Sequence, residues 1–208
     1  MILAALICVF LSACGSSGGN IAAASGSGSS SSSKASSAES GNNGSADAAG
    51  KTLVVYFSAT GTTKGVAKKI ASVTGGDLYE IVPVQPYTDE DLDHNNNKSR
   101  TTVEQNNKSA RPKIAGNADH WDSYSTVYLG YPIWWGEEPR ILDTFVENNK
   151  FDGKTVIPFC TSGGSGIGQS EENLKSKAGS GTWLQGERFS GSTSKQDIKS
   201  WVSGLKIE

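Results

Sequence analysis

The sequence predicts an α/β fold: a five-stranded parallel sheet between two layers of helices. Three observations carry that expectation. From residue 51 onward, short apolar runs alternate with stretches of helical period. The runs are dense in Val, Ile, Leu and aromatics, as strands buried on both faces require. Three of the runs lead directly into loops of unusual composition, at the strand ends where such sheets bind ligands.

The first run, residues 53–57, is Leu-Val-Val-Tyr-Phe. It passes abruptly into Ser58-Ala59-Thr60-Gly61-Thr62-Thr63, and Val66, Ala67, Ile70 and Val73 then recur at helical spacing. This is a strand, a polar turn and a helix start. Residues 77–84 form the second strand, with Pro83 demoting its end to an edge position. Residues 87–114 are rich in Asn, Asp, Lys and Arg, with a thin apolar stripe that places a helix near residues 92–107. His94 within this stretch is expected to be a solvated side chain. Residues 126–131 form the third strand, followed by the aromatic loop Pro132-Ile133-Trp134-Trp135-Gly136. A helix over about residues 138–148 has Pro139 near its first turn and Ile141, Leu142, Phe145 and Val146 on one face. Asp152-Gly153 turns the chain into a fourth strand, residues 155–160, whose terminal Cys160 belongs to the core. The loop Thr161-Ser162-Gly163-Gly164-Ser165-Gly166-Ile167-Gly168 comes next, then a helix over residues 170–177 and a fifth strand over residues 183–189. The last helix, residues 194–205, opens on the capping-box pattern Ser194-Lys195-Gln196-Asp197 and buries Ile198, Trp201, Val202 and Leu205.

The rest of the chain divides into two segments. Residues 1–13 are short, apolar and uncharged, too few to span a bilayer as a mature helix and suited to a secretory signal. Leu11-Ser12-Ala13-Cys14-Gly15 resembles a bacterial lipobox, which implies lipidation of Cys14 and an extracytoplasmic, membrane-anchored protein. Residues 15–50, almost all Ser, Gly, Ala and Asn, are expected to be a flexible tether. One domain, residues 51–208, remains. A net charge of −2 without a Lys/Arg run argues against a nucleic-acid partner. Three cysteines, Cys8, Cys14 and Cys160, offer neither a disulfide framework nor a metal-spaced cluster.

The three loops specify a ligand. Four hydroxyls around Gly61 at a helix start suit a phosphate, held by hydroxyls and backbone N–H groups on the positive end of the helix dipole. The lysine-bearing loop of nucleotide hydrolases is absent. In the second loop, adjacent tryptophans point apart, so one packs in the core and the other lines a pocket for a flat heteroaromatic ring. In the third, closely spaced glycines let the backbone approach such a ring, without the G-x-G-x-x-G spacing of a dinucleotide site. An acidic cluster of the phosphoacceptor kind is missing from the first and third strands.

Ser58-Ala59-Thr60-Gly61-Thr62-Thr63 after a buried first strand resembles the flavodoxin phosphate loop, hydroxyl-x-Thr-Gly-x-Thr. The Gly-Tyr-Pro-Ile-Trp-Trp-Gly and Thr-Ser-Gly-Gly-Ser-Gly-Ile-Gly stretches resemble a Trp-rich, flavodoxin-like subgroup. The resemblance spans the whole globular part and implies strand order 2-1-3-4-5 and non-covalent FMN. The phosphate would lie on Ser58, Thr60, Gly61, Thr62 and Thr63. The isoalloxazine would lie against Pro132, Ile133, Trp134, Trp135 and Gly136 and against Thr161, Ser162, Gly163, Gly164 and Gly166. FMN would then carry the chemistry, with no catalytic side chain. Three functions are compatible: electron transfer with a redox partner protein, NAD(P)H-dependent reduction of quinones or similar small acceptors, and a flavin-free surface binding module.

Overall fold

A computed structural model describes residues 50–207. The expected signal, Cys14 and nearly all of the Ser/Gly tether lie outside the described residues. The described chain carries a parallel sheet built from β1 (Lys51–Tyr56), β2 (Asp77–Glu80), β5 (Tyr124–Pro132), β6 (Thr155–Thr161), β7 (Thr182–Trp183) and β8 (Glu187–Phe189). Its order is β2-β1-β5-β6-β7, with β8 also on β6, so counting β7 and β8 as one edge strand reproduces the expected 2-1-3-4-5. A two-stranded antiparallel ribbon of β3 (Val82–Pro83) and β4 (Ile114–Ala115) stands apart from it. The helices are α1 (Thr62–Thr74), α2 (Arg100–Asn106), α3 (Arg140–Asn148), α4 (Ser170–Ala178) and α5 (Lys195–Gly204).

Alternation along β1 explains the layers. Val54 and Tyr56 pack with Val66, Ala67 and Ile70 of α1 and Ile198 of α5. Leu53 and Val55 face the opposite layer, with Ile141, Leu142 and Phe145 of α3 and Leu174 of α4. Both faces are therefore covered, as the unbroken apolar runs require. The capping box on α5 forms as expected: Asp197 N–H donates to Ser194 Oγ at 3.1 Å, and Ser194 N–H donates to the Asp197 carboxylate. Cys160 is fully buried, and burial pushes its thiol up to about 12.

Four expectations needed correction, each for a local reason. The second strand is two strands: Ile81 N–H still donates to Tyr56 at 2.7 Å, but Val82 and Pro83 turn away to pair with Ala115 and Ile114. The fifth strand is interrupted by Pro158. Leu184 N–H donates to Val156 O at 2.9 Å, and the next rung would need an N–H from Pro158, which has none. Pairing resumes one residue out of step, Phe159 with Glu187. The helix expected near residues 92–107 forms only over α2. Ahead of it, side chains take over the backbone: Asn95 N–H donates to Asp93 Oδ1 and Lys98 N–H to Asn96 Oδ1, both at 2.9 Å. The helix begins at Ser99, whose hydroxyl accepts from Thr102 N–H. The helix expected from about residue 138 starts at Arg140 as α3, with Pro139 near its first turn as the N-cap in extended conformation.

Gly130 lies near the C-terminal end of β5, where a Cβ would fall 2.1 Å from the buried Phe159 ring. Gly130→Ala should therefore destabilise the domain by about 1–3 kcal/mol through overpacking. The urea midpoint is expected to drop, and an unchanged midpoint would show that the ring has room to yield.

Candidate functional site

The sheet brings the ends of β1, β5 and β6 to one edge, and the three unusual loops meet there. Phe57 N–H donates to Gly130 O at 2.9 Å, after which the chain leaves the sheet. Gly61 adopts φ +87°, a conformation that favours glycine, and starts α1 as its N-cap. No side chain caps this helix, nor α3 or α4, whereas α2 and α5 are capped by Ser99 and Ser194. Thr60 and Thr62, exposed beside the helix start, place their hydroxyls 3.4 Å from each other. The Ser58 hydroxyl oxygen is enclosed and has no hydrogen-bond partner. The start of α1 thus presents free N–H donors and a positive dipole end beside the exposed hydroxyls of Thr60 and Thr62. Lys64 is directed elsewhere, onto Glu80 at 2.6 Å.

Thr63 has a different position from its neighbours. It is buried and shares a 2.8 Å hydrogen bond with the equally buried Thr161 at the end of β6. Of the expected contacts, these two hydroxyls are engaged with each other, so the pair fastens the first loop to the third.

The second loop is a two-residue hairpin. Trp134 N–H donates to Glu137 O at 2.9 Å and Glu137 N–H to Trp134 O at 3.0 Å. Trp135 and Gly136 both have positive φ, +50° and +81°, as a type I′ turn demands. The tryptophans differ in exposure, but both border the same cleft, so the expected split between core and pocket is only partial. Trp134 is half-buried, edge-on to Phe57 at 5.5 Å and to Tyr87 at 5.4 Å, while Trp135 is 46% exposed. Gln105 of α2 supports the hairpin, its Nε2 donating to Trp134 O at 3.2 Å and to Glu138 O at 3.1 Å. Arg140 in turn donates to Gln105 O at 2.9 Å and to Glu137 at 2.6 Å. Below lies a buried ionic cluster, with Glu138, Arg140 and Asp143 almost fully enclosed. Lys177 reaches Glu138 and Asp143 at 3.1 Å each. Burial, together with neighbouring Glu138, pushes the Asp143 carboxyl up to about 6.

The third loop is tied down at its root. Ser162 N–H donates to Phe189 O at 3.3 Å, and Arg188 donates to Ser162 Oγ at 3.1 Å and to Ser162 O at 2.8 Å. A Cβ at Gly163, Gly164 or Gly166 would meet nothing within 4 Å, so no protein packing accounts for these glycines. Loops two and three approach each other where Gly168, at φ +60°, faces Gly136 O.

Two clefts open from this edge, and Thr60 borders both. One, of about 370 Å³, lies between the first and third loops, with Thr62, Pro132, Thr161, Ser162 and Gly163 on its walls. Ser190 and Gly191 complete it. Sequence reasoning passed over these two, although Ser190-Gly191-Ser192-Thr193 repeats the hydroxyl-and-glycine composition of the first loop. The other cleft, of about 400 Å³, lies between Ile133, Trp134 and Trp135 and the segment carrying Leu92, His94 and Thr101. His94 is exposed, as expected, and also borders this cleft. Of the expected site residues, Ser58, Gly61, Thr63, Gly136, Gly164 and Gly166 line neither. Among the described residues, no cluster of His, Cys, Asp or Glu is arranged for a metal ion, and no helix is long and apolar enough to cross a membrane.

A family profile described as Flavodoxin matches residues 51–205. The crystal structure of a "putative flavoprotein" from Bacteroides eggerthii DSM 20697 superposes with a TM-score of 0.72 at 45% identity, covering 76% of this chain and 99% of that one. Its counterpart from Bacteroides uniformis ATCC 8492 gives 0.71 at 43% identity, covering 74% and 98%. A flavoprotein of Lactobacillus acidophilus NCFM, crystallised in complex with FMN, shares the fold at 22% identity and a TM-score of 0.56, covering 74% and 99%. No curated relative matches. With three-quarters of its length matched and its phosphate-type loop, Trp hairpin and glycine loop on one sheet edge, the chain belongs to the flavodoxin family, whose cofactor is FMN.

Proposed function

We propose that this protein is an electron-transfer flavoprotein that holds FMN across the three loops. The observation that carries the reading is the uncapped start of α1 beside the exposed hydroxyls of Thr60 and Thr62. A phosphate dianion would satisfy the helix start and the Thr60 and Thr62 hydroxyls at once, through charge-assisted hydrogen bonds and the helix dipole. The cleft past Pro132 and Gly163 leads away from that point, and Trp134 and Trp135 supply aromatic surface beyond it. The donor set and the cleft fit the cofactor. When bound, FMN supplies the redox chemistry. The chain's own work is to anchor the phosphate at α1, shield the ring with the hairpin, and hold both loops still through Gln105 and the Thr63–Thr161 bond.

A second reading, reduction of a small acceptor with NAD(P)H as donor, is favoured by the separate apolar cleft beside Trp135. Adding NADH or NADPH anaerobically to the yellow protein separates the two. Electron transfer between proteins predicts a flavin spectrum that persists for minutes. Rapid bleaching would assign the reductase activity instead.

The N-terminal lipobox resemblance supports an extracytoplasmic, lipid-anchored form of this flavoprotein, with residues 15–50 as tether. Metabolic labelling with a fatty-acid analogue should mark the wild type and leave Cys14→Ala unlabelled. Equal label in both would refute the anchor.

Thr60→Ala removes one phosphate hydrogen bond and should weaken FMN binding by about 1.5–3 kcal/mol, roughly 10- to 150-fold in Kd. Flavin affinity equal to the wild type would remove the loop from the site.

A further inference from the structure

Arg188 is a charge without a counter-charge at the root of the third loop. It lies half-buried on β8, in register with Cys160 of β6. Other cations near this edge are answered by carboxylates: Lys64 by Glu80, Arg140 by Glu137 and Glu138, and Lys177 by Glu138 and Asp143. Arg188 has no such partner among the described residues. Its guanidinium donates instead to Ser162 O at 2.8 Å and to Ser162 Oγ at 3.1 Å. The adjacent Glu187 uses its carboxylate on the Arg188 backbone N–H, at 2.9 Å. The Cys160 thiol, with burial pushing it up to about 12, stays neutral. Residues 58–63, 132–136, 161–168 and 190–194, which surround the clefts, carry no charged side chain.

The bonds to Ser162 have a directional consequence. In a trans peptide, the C=O of one residue and the N–H of the next point to opposite sides. Arg188 holds the Ser162 C=O, so the Gly163 N–H is turned away from Arg188. Ser162 and Gly163 form part of the wall of the cleft that Thr60 and Thr62 also border. Among the described residues, no acceptor takes the Gly163 N–H. The Ser162 hydroxyl is committed in the same arrangement, accepting from Arg188 and donating to Ser165 O. A cation behind the wall therefore orients and polarises a peptide dipole whose N–H remains free for a ligand.

We infer that Arg188 is a positioning residue that, through the Ser162–Gly163 peptide, makes the chain favour reduced over oxidised flavin. The inference rests on the reading of the three loops as the FMN site. Two electrons taken up with one proton leave the flavin ring with one negative charge, whereas two electrons with two protons leave it neutral. The electrons come from the redox partner, or in the test from dithionite, and the protons from water. A donor fixed in advance by a cation favours the charged outcome, as preorganised donors do wherever negative charge develops. The loops around it contain no carboxylate to offset the effect.

The test is the midpoint potential of the FMN-loaded full chain, titrated with dithionite over a pH series, for wild type, Arg188→Met and Arg188→Lys. Arg188→Met should lose about 10-fold in affinity for reduced FMN relative to oxidised FMN, a fall of about 30 mV for a two-electron couple. The pH at which its potential changes from a two-proton to a one-proton slope should rise above that of the wild type. Arg188→Lys keeps the charge and should recover most of both effects. Unchanged potentials in Arg188→Met, or equal falls in the Met and Lys variants, would overturn the inference. So would equal losses of affinity for both redox states, the result of a merely loosened loop. If Arg188→Met does not fold, the wild type decides, because its slope should change at a lower pH than that of free FMN. The same pH for both would overturn the inference. A chain that takes up no FMN fails the flavin reading on its visible spectrum and takes this inference with it, whereas a loaded chain with unchanged potentials fails this inference alone.

Discussion

A buried hydrogen bond between the hydroxyls of Thr63 and Thr161, 98 residues apart and 2.8 Å long, fixes the geometry on which the rest of the site depends. It joins the first turn of α1 to the end of β6, so the free N–H groups of the helix and the glycine loop keep a constant relation. Both partners are almost fully enclosed, which makes losing either one costly, because the other would be left unsatisfied. The surrounding hydroxyls have the opposite character. Ser58 is partnerless, and Thr60 and Thr62 meet only each other, at 3.4 Å. One short segment thus contains a structural hydroxyl and a set left for a ligand.

The Trp hairpin depends on a different kind of support. Glu138, Arg140 and Asp143 are buried charges, and such clusters add little net stability because desolvation offsets their attraction. Their arrangement fixes position. Arg140 holds Gln105, and Gln105 holds the backbone on either side of the turn. The same cluster reaches α4 through Lys177 and Asn173, so the hairpin, α2, α3 and α4 are braced together. A rigid aromatic wall follows, and a flat ligand needs one.

Much of this was readable from side-chain pattern alone. The buried strands announced themselves because the middles of β1, β5 and β6 are covered on both faces and carry unbroken apolar runs. The α5 capping box follows from a local rule that the structure obeys. What escaped depended on contacts distant in sequence or on a missing donor. Pro158 breaks a rung belonging to a strand that comes 26 residues later, as its partner Leu184 shows. Asp93 and Asn96 turn the chain by side-chain bonds that compete with the helix expected there. Gln105 and Arg140 carry no motif, and their role appears only when α2 and the hairpin are adjacent. Ser190 and Gly191 did carry a signal, the composition of the first loop repeated, and His94 carried none.

The central claim is that the start of α1, with its hydroxyls, is built for the phosphate of FMN. The most direct measurement compares the full chain's affinity for FMN with its affinity for riboflavin, which has the same ring and ribityl chain without the phosphate. The account predicts that FMN binds at least about 100-fold more tightly, the worth of one or two charge-assisted hydrogen bonds. Equal affinities for the two flavins would contradict it.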